Sequence, residues 1–300
     1  MEQNGILLDA GTNELEIVEF GVNNYKFGIN VMKVREIINP METTPIPHAH
    51  KNVEGIIELR GEILPVVDIA KALGYAPSST PEDDKYIVAE FNKLKIVFHV
   101  HHVTQIHRIS WSQIEKPQDM YQGLETQITG IVKIANEMVL LLDFEKIVVD
   151  IHPESGISSE KIRQLEKRER NNKKIVLAED SPLLRKLITD TLYKAGYNQL
   201  EVFENGRLTL DHLLSLKEEE DIKDHVQLLI TDIEMPQLDG LHLTKLVKED
   251  EMLNEIPVII FSSLITNDLR HKGNSVGANA QISKPEIEKL VQTMDELLLL

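Results

Sequence analysis

The sequence predicts two domains of different class: an all-β N-terminal half made of a pair of small barrels, and an α/β C-terminal half with a doubly wound, parallel, five-stranded sheet. Three observations predict it. Residues 55–71 and 130–146 repeat one pattern without a gap. From residue 174 onward, uncharged runs alternate with segments long enough for helices, which is how a parallel sheet with both faces covered reads. Between the halves lies HPESGISSEKIRQLEKRERNNKK, which opens on Pro, Gly and Ser and turns densely charged, as a solvated connection does.

Composition sets the outer limits. A chain of 300 residues with 42% hydrophobic content can bury about two cores. It holds no cysteine, which excludes disulfides and thiolate metal sites and permits a cytoplasmic address. The N-terminal MEQNGILLDAGTNELEI lacks a basic region followed by an apolar stretch, and no apolar run approaches the roughly 18 residues that span a bilayer. No direct membrane insertion is expected. The net charge of -17 repels phosphate backbones and argues against nucleic acid as a partner.

In the N-terminal half, GIIELRGEILPVVDIAK (55–71) aligns with GIVKIANEMVLLLDFEK (130–146), sharing the glycine, the apolar positions and the Glu, Asp and Lys. Each copy reads as two strands around a tight turn, Arg60-Gly61 in one and Ala135-Asn136 in the other. EIVEFGVNNYKFGINVMKV and YIVAEFNKLKIVFHVHHV are a second pair of apolar hairpin patterns, with turns at Asn23-Asn24 and Asn92-Lys93. Two copies of one β-module fit paired barrels, where closure removes exposed edges. Copy one has Arg60, Gly61 and Pro65 where copy two has Ala135, Asn136 and Leu140, so copy one alone is expected to offer a rigid, charged turn.

VMKVREII (31–38) followed by GIIELRGEILPVVDIAKALG (55–74) resembles the CheW family of chemotaxis coupling proteins over roughly residues 12–152. The resemblance implies two intertwined SH3-like barrels that bind and do not catalyse, joining the cytoplasmic tips of chemoreceptors (methyl-accepting chemotaxis proteins) to a histidine kinase. It makes Val34, Arg35, Glu36, Ile37, Arg60 and Gly61 candidate contacts for receptor or kinase. Residues 153–173 are the expected linker, and a second domain is expected over 174–300.

That domain opens with KKIVLAEDSPLLRKLITDTLYKAGY. An apolar strand runs into Glu179-Asp180, Ser181 can cap a helix with Pro182 at its first position, and Gly196 can end it. Apolar strands follow in VQLLITD, IPVIIFSS and AQISKP, with a shorter one near LEVF. The run LLITDIEMPQLDG (228–240) ends a strand on Asp232 and continues through a Met-Pro break to an expected Asp-Gly turn. Ligands of such sheets bind beyond the carboxyl ends of the strands. Glu179, Asp180, Asp232, Ser262 and Lys284 all fall at strand ends, so one fold would gather them at one edge. Three crowded carboxylates repel one another, each pair by about 4 kcal/mol at 4 Å and an effective dielectric of 20. A hard cation would relieve this, and an all-oxygen site suits Mg²⁺.

These five residues resemble the response-regulator (CheY-like) receiver domain. The resemblance implies Asp232 as phosphoacceptor, Glu179, Asp180, Asp232 and the Glu234 backbone carbonyl as Mg²⁺ ligands, and Ser262 and Lys284 as the phosphoryl contacts that throw a switch. Receivers often carry Tyr or Phe three residues before the lysine, where this chain has Gln281. A coupling domain fused to a receiver is the arrangement of the CheV family, which implies a scaffold tuned by phosphoryl transfer from the kinase. It implies a cytoplasmic protein held at receptor arrays by protein contacts. The sequence offers three other readings. The receiver can act as a phosphate sink for the kinase, Asp232-Ile233-Glu234 can open the motif of a metal-dependent phosphohydrolase, and His99 and His101, on one strand face of HVHHVTQIH, can bind a metal.

Overall fold

The structure is a computed structural model that describes residues 12–91, 94–115, 127–153, 169, 171–218, 222–265 and 267–299. Alternation of apolar and polar residues makes the N-terminal half a set of strands: β1 (Glu14–Val22), β2 (Tyr25–Asn30), β3 (Val34–Ile38), β4 (Val53–Leu59), β5 (Glu62–Asp68), β6 (Lys85–Phe91), β7 (Leu94–Val100), β8 (His102–Ser110), β9 (Ile128–Ile134) and β10 (Glu137–Leu142). Turns stand at Asn23-Asn24, Arg60-Gly61 and Ala135-Asn136, between these strands as expected. The Asn92-Lys93 turn lies outside the described residues, as does 154–168 of the expected linker.

Each repeat also ends in a short helix, α1 (Ile69–Ala72) and α2 (Phe144–Ile151). The Asp and Lys that the repeats share explain this. Asp68 Oδ1 accepts from the Lys71 N–H at 3.0 Å, and Asp143 Oδ1 accepts from the Lys146 N–H at 2.9 Å, so each aspartate caps a helix N-terminus.

The two copies interlock. One sheet runs β8-β1-β2-β10-β9 and the other β3-β6-β7-β5-β4. β10 of copy two joins β2 in parallel, with Val139 opposite Lys26, and β5 of copy one joins β7 in parallel, with Val66 opposite Val97. Each hairpin thus completes the sheet begun by the other copy. Phe20, Phe27, Phe98 and Phe144 fill the shared core with Ile69, Ile87 and Ile147, and the Phe98 and Phe144 rings lie 4.7 Å apart between centroids. Burying each such side chain contributes about 1.5–3 kcal/mol.

The C-terminal half alternates β11 (Asn171–Ala178), α3 (Pro182–Lys194), β12 (Tyr197–Phe203), α4 (Gly206–Ser215), β13 (Leu228–Thr231), α5 (Gly240–Glu249), β14 (Val258–Ser262), α6 (Asn267–Ser275), β15 (Ala280–Ser283) and α7 (Ile287–Leu297). Its five strands are parallel in the order β12-β11-β13-β14-β15. The strands are apolar on both faces because both are covered. Ile175 and Leu177 pack with Ile188, Leu192, Leu290 and Met294, while Val176 and Ala178 pack with Leu210, Leu213, Leu243 and Val247. Ser181 caps α3, accepting from the Leu184 N–H, and Pro182 is its first residue. Gly196, at φ 95°, follows its end.

One local expectation fails. Asp239-Gly240 is not a turn: Asp239 Oδ1 accepts from the Leu241 and His242 N–H groups, and Gly240 is the first residue of α5. The left-handed residue of this loop is Gln237, at φ 68°.

Candidate functional site

The sheet order brings the strand-end residues together. Glu179 and Asp180 follow β11, Asp232 follows β13 beside it, Ser262 ends β14 and Lys284 follows β15. The Asp232 N–H donates to Ala178 O at 3.0 Å, which sets Asp232 alongside the acidic pair. Carboxylate oxygens of Glu179, Asp180 and Asp232 lie within 4.8 Å of one another. The Lys284 ammonium reaches into this group, 2.6 Å from Asp232 Oδ2 and 3.1 Å from Glu179 Oε2. Asp232 Oδ1 accepts from the Ile233 N–H at 2.7 Å.

All these side chains except Asp180 are buried. Burial pushes the Glu179 carboxyl well above the usual range, Lys284 pulls it back, and Asp232 and Asp180 push it up again. A bound cation would relieve this crowding and favour the ionised form of Glu179. Three converging carboxylates and no soft donor fit a hard divalent ion such as Mg²⁺. Glu234, two residues beyond Asp232, is half-buried. The Ser262 hydroxyl oxygen accepts from the Leu264 N–H at 3.3 Å, which engages it with the loop that leads to α6.

Further residues shape the site. Arg185, in the first turns of α3, donates from one guanidinium nitrogen to Glu179 O at 2.7 Å and to Asp180 O at 3.2 Å, and so fixes the backbone of the acidic pair. A basic residue just inside the helix that follows two acids is a readable signal. A Cβ built at Gly240 would overlap the Asp232 carbonyl oxygen, so only glycine lets α5 start this close to Asp232. Gln281 Nε2 donates to Arg270 O at 2.8 Å and to Asn274 Oδ1 at 2.9 Å, tying β15 to α6 where an aromatic ring was the family expectation.

In the N-terminal half, β3 carries Val34, Arg35, Glu36 and Ile37, with Arg35 and Ile37 exposed. The Arg60 guanidinium meets Glu36 Oε2 at 2.8 Å, so two candidate stretches far apart in sequence are neighbours. Arg35 pairs with Glu90 at 3.0 Å. Arg35, Arg60 and Glu90 line an open groove of about 350 Å³ with Leu59, Leu64 and Lys95. Both turns take the same backbone form. Arg60 and Gly61 have φ of 54° and 84°, and Ala135 and Asn136 have 47° and 67°, so both turns share one left-handed backbone and only charge separates them. Both ring nitrogens of His99 are held by carboxylates, Glu54 Oε1 at 2.8 Å and Asp84 Oδ2 at 2.9 Å, while His101 Nδ1 accepts from the Asn23 N–H. The geometry gives the metal reading of these histidines no support.

Comparison with known proteins agrees with both halves. Residues 16–152 match the CheW-like domain and residues 175–295 match the response regulator receiver domain. The chain is 32% identical to the chemotaxis protein CheV3 of Helicobacter pylori over 305 residues, covering 97% of this chain and 96% of that one. It is 28% identical to CheV1 of the same organism, covering 95% and 94%. The chemotaxis protein CheW of Thermotoga maritima is 29% identical over 151 residues, 50% of this chain and 98% of that one. A CheW-like half with interlocked sheets, joined to a receiver whose acids converge on one lysine, places the chain in the CheV family of chemotaxis proteins.

Proposed function

We propose that this chemotaxis adaptor couples chemoreceptor cytoplasmic tips to the chemotaxis histidine kinase through its CheW-like half, and that a phosphoryl group on Asp232 modulates the coupling. The observation that carries this reading is the buried Asp232 carboxylate at the end of β13, with an ammonium at 2.6 Å and two further carboxylates beside it. Asp232 is held ready: Thr231 Oγ1 donates to its carbonyl oxygen, and the start of α5 packs on its backbone.

In transfer, a carboxylate oxygen of Asp232 forms a bond to phosphorus as the phosphorus–nitrogen bond of the kinase's phosphohistidine breaks, and the bonding pair stays on the imidazole nitrogen. Glu179, Asp180, Asp232 and the Glu234 carbonyl would hold Mg²⁺, which when bound supplies charge neutralisation for phosphoryl oxygens. Lys284 neutralises another oxygen, and the Ser262 hydroxyl can leave the Leu264 N–H to donate to the phosphoryl group. The modification adds about -1.5 to -2 charge at one strand end. That is enough to bias a loop with two arrangements, here the segment between Ser262 and α6. Arg60, Gly61 and the exposed positions of Val34–Ile37 are the proposed contact surface for receptor or kinase.

A small acyl phosphate with Mg²⁺ tests the assignment. It should label the chain once, and Asp232→Ala should abolish the label; a label that survives would put the acceptor elsewhere.

A further inference from the structure

His99 sits between two carboxylates in the second sheet. Its Nδ1 lies 2.8 Å from Glu54 Oε1, on β4, and its Nε2 lies 2.9 Å from Asp84 Oδ2, just before β6. An ionised carboxylate accepts hydrogen bonds and donates none. With both acids ionised, both ring nitrogens must carry protons, so this geometry fits a charged imidazolium. Asp84 is nearly fully buried, and its other oxygen meets no donor among the described residues. Its charge consequently depends on the imidazolium, because a buried charge without a partner is costly.

The surroundings add charge of the same sign as the two acids. Asp68, at the end of β5, stands beside His99 in the parallel register. Tyr86 stands opposite it on β6, its ring edge-on at 5.2 Å between centroids, with its hydroxyl 3.1 Å from Thr43 Oγ1. His101, two residues on along the chain, also feels Asp84 and Asp68, but burial and the neighbouring His99 lower its pKa.

We propose that Glu54, His99 and Asp84 form a proton-operated clasp, in which one proton on His99 ties side chains of β4, β7 and the residue before β6 together and its loss unlinks them. β4, one of the strands so tied, leads directly into Arg60. The clasp stands on this geometry and not on the identity of any partner.

Burial opposes the charged ring, but the hydrogen bonds and charges of Glu54 and Asp84 outweigh it and raise the His99 pKa from the ordinary 6.5 to about 8. A raised folded-state pKa stabilises below the unfolded value. The clasp's contribution is then complete below about pH 6.5 and fades as pH passes through about 8.

Long-range proton–nitrogen NMR on the full chain reads the charge state directly, with the His99 signals identified by through-bond assignment to its backbone and checked by their loss in His99→Gln. Both ring nitrogens should be protonated at pH 7, with a titration midpoint near 8. Asp84→Asn, which keeps the shape and removes one charge, should lower that midpoint by about one unit. In the wild type the thermal midpoint of the N-terminal half should fall between pH 7 and 9, and this fall should weaken in Asp84→Asn. A single neutral tautomer at pH 7, or a midpoint that Asp84→Asn leaves unchanged, would overturn the clasp even if His99→Gln fails to fold.

Discussion

Lys284 is the residue on which the acidic site balances. Its ammonium is the one cation drawn against the buried carboxylates of Asp232 and Glu179 among the contacts described. Removing one partner from a buried ion pair costs about 3–5 kcal/mol, because the other charge stays buried. Lys284→Ala should therefore lower receiver stability by that order, and added Mg²⁺ should restore more stability to the variant than to the wild type. Thermal unfolding with and without Mg²⁺ checks this; equal metal stabilisation in both chains would mean that the ion and the lysine do not share the same charges. Arg60 poses a different question, since its φ of 54° is unusual for a residue with a side chain while its guanidinium is mostly exposed. Glycine relieves that backbone at no steric cost, and an exposed ion pair such as Arg60–Glu36 adds only about 0–1 kcal/mol. Arg60→Gly should thus leave stability equal or higher while weakening binding to receptor or kinase by about 1 kcal/mol or more. Chemical denaturation and pull-down titration on the same preparation separate the two effects, with Ala135→Gly as the control that should not alter binding.

At the level of elements, the interlocked sheets make a prediction that local pattern does not. β2 finds its second neighbour only in β10, and β5 finds its second neighbour only in β7. A fragment that ends near residue 80 holds β1 to β5 without those partners and leaves the phenylalanine core without Phe98 and Phe144. It should stay unfolded or self-associate, whereas the whole N-terminal half should fold; circular dichroism and analytical ultracentrifugation tell these apart. The repeat itself was legible because glycine, aspartate and lysine recur at fixed offsets, and the structure gives the aspartates a cap to make. The exchange of hairpins was not legible from the residues, because a parallel pairing between distant strands leaves no mark on the sequence near either one. The CheW resemblance supplied it instead. In the receiver the five strand-end residues were legible since strand apolarity and the parallel-sheet rule fix where a strand must end. Asp239-Gly240 was misread, because a dipeptide that suits a turn equally suits a helix N-cap followed by a residue with no side chain. Arg185 was overlooked although its place just inside the helix after two acids was readable; only its partners, two backbone carbonyls, are not displayed by a sequence.

At the scale of the molecule, the two halves each enclose their own core, Phe-rich in the one and Ile, Leu and Val-rich in the other. Domains with separate cores can fold alone, and the groove at Arg35 and Arg60 is built wholly from residues of the N-terminal half. A fragment of residues 1–155 should consequently bind receptor and kinase about as well as the unphosphorylated full chain. It lacks Asp232, so a phosphodonor should leave its binding unchanged, while the same donor should shift binding by the full chain. Asp232→Ala in the full chain should behave as the fragment does. Array binding measured for the three proteins with and without phosphodonor decides between tuning and simple drainage of phosphoryl groups from the kinase. If the full chain takes up label and its binding does not move, the receiver is a sink. If the fragment fails to bind while the full chain succeeds, the receiver supplies contact surface itself, and the division into a binding half and a tuning half must be given up.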